Sequence, residues 1–274
     1  MTDYAKYLRK TETPWCPGCG NGIVLKAICD AIEACKWEKK DIACWSGIGC
    51  SGRMSSLMDV YSFHELHGRA LPSAEAMARL HPDKHFIIVS GDGDGGSIGR
   101  SAFVQECIEN VGNMTYIIVN NFTYALTKGQ ASPTTPMGTK AYMCPFGVYT
   151  RPFDLCNLAI ASGATFVARE TTLDVLPLSK KIEAGFKHHG FAFIEALSAC
   201  PENFGRKNGL RTSQDTRKWI ESIAISETKF KTLSDEEKIG KYPTGILKRE
   251  LGVLEGNDAY ALHVEDARRL SGGE

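Results

Sequence analysis

The stretch His85 to Val89 carries Phe86, Ile87, Ile88 and Val89 without a break and runs, through Ser90, into Gly91-Asp92-Gly93-Asp94-Gly95-Gly96. An uninterrupted apolar run of this length suits a strand buried on both faces, and a loop of glycine and aspartate cannot continue it. Ser97 to Asn110 then reads as a helix, and Thr115 to Val119 as the next strand, ending in Asn120-Asn121. Strand, glycine loop, helix, strand is a unit of parallel sheet, and it confines the chain to the α/β class.

The surroundings repeat the alternation. Ile23, Ala27, Ile28, Ala31, Ile32 and Cys35 form a helical stripe within Gly22 to Trp37, followed by a strand over Ile42 to Ser46. Pro72-Ser73 is expected to open a helix that runs to Leu80, with the serine as cap. A helix (Leu155 to Ser162), a strand (Thr165 to Ala168), a helix (Leu173 to His189) and a strand (Phe191 to Leu197) complete the pattern. The fold expected is a mainly parallel sheet with helices on both faces over residues 1–200. From Pro201 the composition turns polar, so residues 201–274 are expected as an irregular extension that packs on a partner subunit.

Composition excludes several roles. Lys plus Arg and Asp plus Glu each number 32, which gives no bulk electrostatic case for nucleic acid or an anionic membrane surface. No apolar run approaches a membrane span. The charged stretch Met1 to Lys10 holds no apolar core of signal-peptide length, so a cytoplasmic location is expected. With 274 residues the chain can build a core without disulfides, and its 10 cysteines are expected as thiols or metal ligands.

Six of those cysteines sit in bland settings: Cys29, Cys35, Cys107 and Cys156 in helical patterns, Cys44 within a strand, Cys144 before a proline. The other four stand at turns. Cys16-Pro17-Gly18-Cys19 places two thiols on one tight loop, Cys50 follows Gly47-Ile48-Gly49, and Cys200 precedes a proline. A close pair with two distant single cysteines suits a four-thiolate [4Fe–4S] cluster, with zinc and unrelated thiols as the alternatives.

The aspartates of the glycine loop imply a cation. A helix N-terminus alone binds diphosphate through amides, and carboxylates there make sense if Mg²⁺ bridges protein and phosphate through oxygen ligands. Asp92 supplies a carboxylate; Asn121, 29 positions on, can add a side-chain oxygen and Thr123 a carbonyl. The bland reading of Asp92 and Asp94 is a solvated turn. Cys50, Asp92, Asn121 and Cys200 all fall near carboxyl ends of strands, where open parallel sheets bind ligands.

Gly91-Asp92-Gly93 with Asn120-Asn121 resembles the thiamine-diphosphate binding motif. Joined to Cys16-Pro17-Gly18-Cys19-Gly20 and Gly47-Ile48-Gly49-Cys50-Ser51-Gly52-Arg53, the chain resembles the beta subunit of 2-oxoacid:ferredoxin oxidoreductases. The segments Phe63 to Arg69, Leu126 to Thr134 and Pro243 to Leu247 carry the likeness over nearly the whole length. The resemblance implies the thiamine-diphosphate-binding fold, Cys16, Cys19, Cys50 and Cys200 as cluster ligands, and Asp92, Asn121 and Thr123 as magnesium ligands. It implies cofactor contacts from Ile48, Gly49, Cys50, Ser51, Gly93, Asp94, Ala125 and Leu126, with His67 near the reacting end.

The activity so implied is oxidative decarboxylation of a 2-oxoacid with coenzyme A, electrons passing through the cluster to ferredoxin. The family draws a further glutamate from another domain, for which this α/β unit leaves no room, so an alpha subunit and an (αβ)₂ assembly are expected. Lys128, in Thr127-Lys128-Gly129-Gln130, resembles the 2-oxoglutarate type and would pair with a distal carboxylate; pyruvate and branched-chain acids are the alternative substrates. A non-oxidative thiamine lyase would not need four thiols, and a zinc module would not need Asp92 and Asn121. One departure from the family pattern is the segment Glu202 to Asn208, longer than in many relatives.

Overall fold

The computed structural model describes residues 4–271. Its eight strands, β1 (Ile42–Ser46), β2 (Tyr61–His64), β3 (His85–Gly91), β4 (Met114–Asn120), β5 (Phe166–Thr171), β6 (Ala192–Leu197), β7 (Ala224–Ser226) and β8 (Tyr242–Arg249), form one sheet. The order is β2-β1-β3-β4-β6-β5-β8-β7. All neighbours are parallel except β5 and β8.

Helices α1 (Asn21–Cys35), α2 (Met54–Leu57), α3 (Ala70–Leu80), α4 (Arg100–Glu109), α5 (Leu155–Ala161) and α6 (Val175–Phe186) cross between the strands. Alternate residues of the buried strands face opposite ways. Cys44, Ile87, Val89, Ile117 and Ile194 join α1 and α6 in one core. Trp45, Ile88, Tyr116, Ile118 and Phe193 join α3, α4 and α5 in the other. Helices therefore cover both faces, as the apolar runs require.

Two details depart from expectation. Helix α3 starts at Ala70, so Pro72 lies in its first turn, where a missing N–H costs little, and the Ser73 hydroxyl bonds the Ala70 carbonyl instead of capping. The segment from Pro201 is also more regular than its polar composition implies. It carries α7 (Ser213–Ile223), α8 (Glu227–Phe230), α9 (Asp235–Lys238) and α10 (Gly256–Leu270), and its β8 adds to the sheet antiparallel to β5. Thr212 and Ser234 complete capping boxes with Asp215 and Glu237, which anchor these helices locally. No helix among the described residues is long and apolar enough to cross a membrane.

Candidate active site

The carboxyl ends of β1, β3, β4 and β6 share one edge, and each delivers a site segment to it. After β3 the chain enters the glycine loop and then a π-helical turn, Asp94–Ile98. Asp94 is 1% exposed; its Oδ1 lies 2.7 Å from His67 Nδ1 and accepts the Gly68 amide at 2.7 Å. Its Oδ2 has no hydrogen-bond partner and faces Gly47, where a Cβ would stand 1.8 Å away. The turn after β1 thus brings backbone against carboxylate, and Gly49, at φ +124°, completes the bend.

Asp92 is equally buried. Its carboxylate receives the Thr134 hydroxyl at 2.9 Å and the Asn121 amide at 3.3 Å. Burial still pushes its pKa up to about 6 against these hydrogen bonds. Among the described residues no cationic side chain is ion-paired to it, so a bound cation would be its counter-charge. Asn121 directs its Oδ1 at the Thr123 amide, 3.3 Å away, and no hydrogen bond among the described residues ends on the Thr123 carbonyl. The donor set is all oxygen, as Mg²⁺ prefers.

One cavity gathers Asp92, Gly93, Asp94, Asn121, Thr123 and His67. Ile48, Gly49, Cys50 and Ser51 form its second wall, and Ala125 and Leu126 its third. Gly93 has the Tyr124 ring against it, 2.4 Å from any Cβ. Lys128 stands outside this lining, exposed, with its backbone at φ +81° and no side-chain partner among the described residues.

A second cavity adjoins the first and holds all four turn cysteines, Cys16, Cys19, Cys50 and Cys200. The two cavities share Cys50, Asn121, Ala125 and Leu126. The loop is closed by the Cys19 amide on the Cys16 carbonyl (3.0 Å), with Gly18 at φ +79°, and is moored to the end of β6 by the Gly20 amide on the Ala199 carbonyl (3.3 Å). Trp15 Nε1 donates to the Cys50 carbonyl at 2.7 Å, and Asn21 Nδ2 to Cys19 Sγ at 3.3 Å. Burial pushes Cys19 up to about 11 and Cys50 to about 12, and each is raised further by the charges of its fellow cysteines. Four thiolates here would repel one another without metal charge between them.

As placed, the four sulfurs are not gathered to the spacing of a single zinc ion. Four ligands ~2.3 Å from one ion lie within about 4.6 Å of each other. Among the described residues, the group of three metal-type ligand atoms within 4.8 Å of one another is Asp154, Cys156 and Glu195, and no three of the turn cysteines qualify. The Asp154 group is already engaged: Arg169, 1% exposed, pairs with Glu195 at 2.7 Å and Asp154 at 2.6 Å.

Residues 47–196 match the thiamine pyrophosphate enzyme family, C-terminal TPP binding domain. The chain is 42% identical over 242 residues, 88% of its length and 89% of the relative's, to the 2-oxoglutarate synthase subunit KorB of Methanocaldococcus jannaschii. It is 37% identical to a 2-oxoacid:ferredoxin oxidoreductase subunit beta from Sulfolobus sp over 234 residues, 85% of this chain and 73% of that one. The chain belongs to the beta subunits of the 2-oxoacid:ferredoxin oxidoreductases. A solved 2-oxoglutarate:ferredoxin oxidoreductase from Magnetococcus marinus, with 2-oxoglutarate, coenzyme A and succinyl-CoA bound, superposes with a TM-score of 0.86 at 31% identity, covering 100% of this chain and 92% of that one. The chain therefore carries a thiamine pyrophosphate-binding family domain, and the glycine loop falls within it.

Several supporting residues of this beta subunit escape sequence reasoning. Thr134 lies 2.9 Å from both Asp92 and the Asn120 side-chain oxygen. Asn120 in turn donates to Glu195 at 2.7 Å, which joins the metal-type ligands to the buried Arg169 pair. The available signal was Arg169 and Glu195 themselves, charges inside otherwise apolar strands, and they are cross-strand partners in the β5–β6 register.

Proposed function

We propose that this chain is the beta subunit of an enzyme that converts 2-oxoglutarate and coenzyme A to succinyl-CoA and CO₂ and passes two electrons to ferredoxin. The observation that carries this reading is the pair of adjoining cavities, one of oxygen ligands and one of four thiols, with Cys50 in the wall of both. In the filled site, thiamine diphosphate supplies the electron sink for decarboxylation and a [4Fe–4S] cluster takes up electrons singly.

The chain's own residues have distinct tasks in this reading. Asp92, Asn121 and the Thr123 carbonyl hold Mg²⁺ on the diphosphate. Gly93, Asp94 and Ile48 to Ser51 seat the cofactor with Ala125 and Leu126. Cys16, Cys19, Cys50 and Cys200 hold the cluster. His67, oriented by Asp94 at 2.7 Å, handles a proton at the reacting end. Lys128, its ammonium without a partner among the described residues, receives the distal carboxylate of the substrate.

Activity also needs an alpha subunit, in an (αβ)₂ assembly that works in the cytoplasm. Support for a partner comes from large apolar side chains left in solvent on the loop between β4 and α5: Phe146 is fully exposed, and Tyr149 and Met143 are 86% and 72% exposed. The segment after Pro201 presents Leu251 (77% exposed) and, on α10, Tyr260 (66%) in the same way, consistent with packing on that subunit.

The test is an anaerobic assay of the chain co-purified with its alpha subunit. Ferredoxin reduction should require both 2-oxoglutarate and coenzyme A and be much slower with pyruvate. Equal turnover of pyruvate would refute the substrate, and CO₂ release without ferredoxin reduction would refute the oxidative reading.

A further inference from the structure

The segment that departs from the family pattern, Glu202 to Asn208, lines the cysteine cavity through Glu202 and Asn203. Beyond Cys200 the chain forms a π-helical turn, Pro201–Gly205, closed by the Gly205 amide on the Cys200 carbonyl at 2.9 Å, and then a 3₁₀ turn, Arg206–Asn208. Two side chains leave this segment for carbonyls of the loop that follows Thr123. Asn203 Nδ2 donates to the Ala125 carbonyl at 2.7 Å, and Lys207 Nζ to the Lys128 carbonyl at 2.8 Å. Lys207 Nζ also lies 3.4 Å from Asn203 Oδ1, so the two act as one unit.

The loop they grip needs holding. Lys128 sits at φ +81°, a region L side chains avoid, in a turn closed by its own amide on the Ala125 carbonyl (3.3 Å) and by the Gly129 amide on the Tyr124 carbonyl (3.0 Å). Ammonium-to-carbonyl hydrogen bonds are charge-assisted and can offset that strain. The approach is close enough to exclude a side chain: a Cβ on Gly129 would lie 2.9 Å from both the Asn203 carbonyl and Lys207 Nζ. Opposite the clamp, Tyr124 packs on Gly93 of the glycine loop, and Ala125 and Leu126 line both cavities. The loop is thus held between the fourth cysteine and the glycine loop.

We infer that Asn203 and Lys207 are positioning residues that lock the Ala125–Lys128 turn to the Cys200 segment, so that the cysteine cavity fixes the wall of the neighbouring cofactor cavity and the station of Lys128. The inference rests on the reading of that cavity as the cofactor site. It assigns a task to the segment in which this chain departs from its relatives.

The test uses the complex of this chain with its alpha subunit and the variants Asn203→Ala, Lys207→Met and Lys207→Arg. Hydrogen exchange at the Lys128 and Gly129 amides reads the clamp directly. It should quicken about three- to tenfold in Asn203→Ala and Lys207→Met and recover in Lys207→Arg. KM for 2-oxoglutarate should rise in the first two while kcat stays within about twofold of wild type. Unchanged exchange in Lys207→Met, exchange in Lys207→Arg as fast as in Lys207→Met, or quickened exchange without a rise in KM would each overturn the inference. Failure of the cofactor reading shows elsewhere, as thiamine diphosphate affinity that survives loss of Asp92.

Discussion

Asp94 spans the site: one carboxylate oxygen lies 2.7 Å from His67 Nδ1, and the other, without a hydrogen-bond partner, faces Gly47 at the end of β1. The β2–α3 connection is thereby bonded to the glycine loop through the Gly68 amide, and the end of β1 packs against the same side chain. An unpartnered buried carboxylate oxygen is costly in a structure that serves only stability, and is expected where a ligand supplies the missing partner.

Gly47→Ala tests this arrangement. Gly47 has an ordinary φ, so the strain arises from contact alone, with the new Cβ 1.8 Å from Asp94 Oδ2. The aspartate must move, and calorimetric titration should give thiamine diphosphate affinity reduced at least ~10-fold with the circular dichroism spectrum retained. Undiminished affinity would mean that the Asp94 position is immaterial to the cofactor.

Cys50→Ser and Cys44→Ser should behave oppositely. Cys50 lines the four-cysteine cavity, whereas Cys44 is fully buried in the core on the α1 side of β1. Iron and sulfide analysis should show loss of the cluster in Cys50→Ser alone. Cys44→Ser should keep its iron and lose about 1–3 kcal/mol of stability through a buried hydroxyl.

Lys128→Met addresses substrate choice. The lost ion pair should lower kcat/KM for 2-oxoglutarate about ten- to a hundredfold, mainly through KM. Pyruvate has no distal carboxylate, so its turnover should be unaffected or improved. Equal losses with both acids would leave Lys128 without a role in specificity.

Glu106, on α4 and fully buried, has its pKa pushed up to about 9 by burial first and by the nearby Glu75 second. Folded protein then holds a proton that unfolded chain has released, so stability falls as pH rises from the ordinary carboxylate value of 4.5 to about 9. The slope is at most ~1.4 kcal/mol per pH unit. Glu106→Gln keeps an oxygen for the Val111 amide, now 3.1 Å from Oε1, and removes the proton exchange. Urea denaturation across that range should show a flatter profile for the variant than for wild type.

The central strands were legible because they are buried on both faces. β1 runs over Ile42–Ser46 as read, and β3 extends only to Gly91 beyond the apolar run. β2 was missed: it is an edge strand whose Tyr61 and Phe63 are 63% and 51% exposed, so burial imposes no apolar pattern on it. β8 was missed because Pro243 and Gly245 read as breakers, yet an antiparallel, half-buried strand with a register shift opposite Val167 and Ala168 tolerates both. In the site, glycines and cysteines with their spacing marked the loops that line the two cavities. Thr134, Asn203 and Lys207 matter through distant carbonyls and carboxylates, and only tertiary packing brings those near.

The central claim is that the glycine-loop cavity holds thiamine diphosphate through Mg²⁺ on Asp92. Calorimetric titration of thiamine diphosphate into the complex with the alpha subunit, with and without Mg²⁺, tests it in wild type and Asp92→Ala. Wild-type binding should require the cation, and Asp92→Ala should lose that binding while its iron content is unchanged. Cofactor affinity in Asp92→Ala equal to wild type would contradict the account.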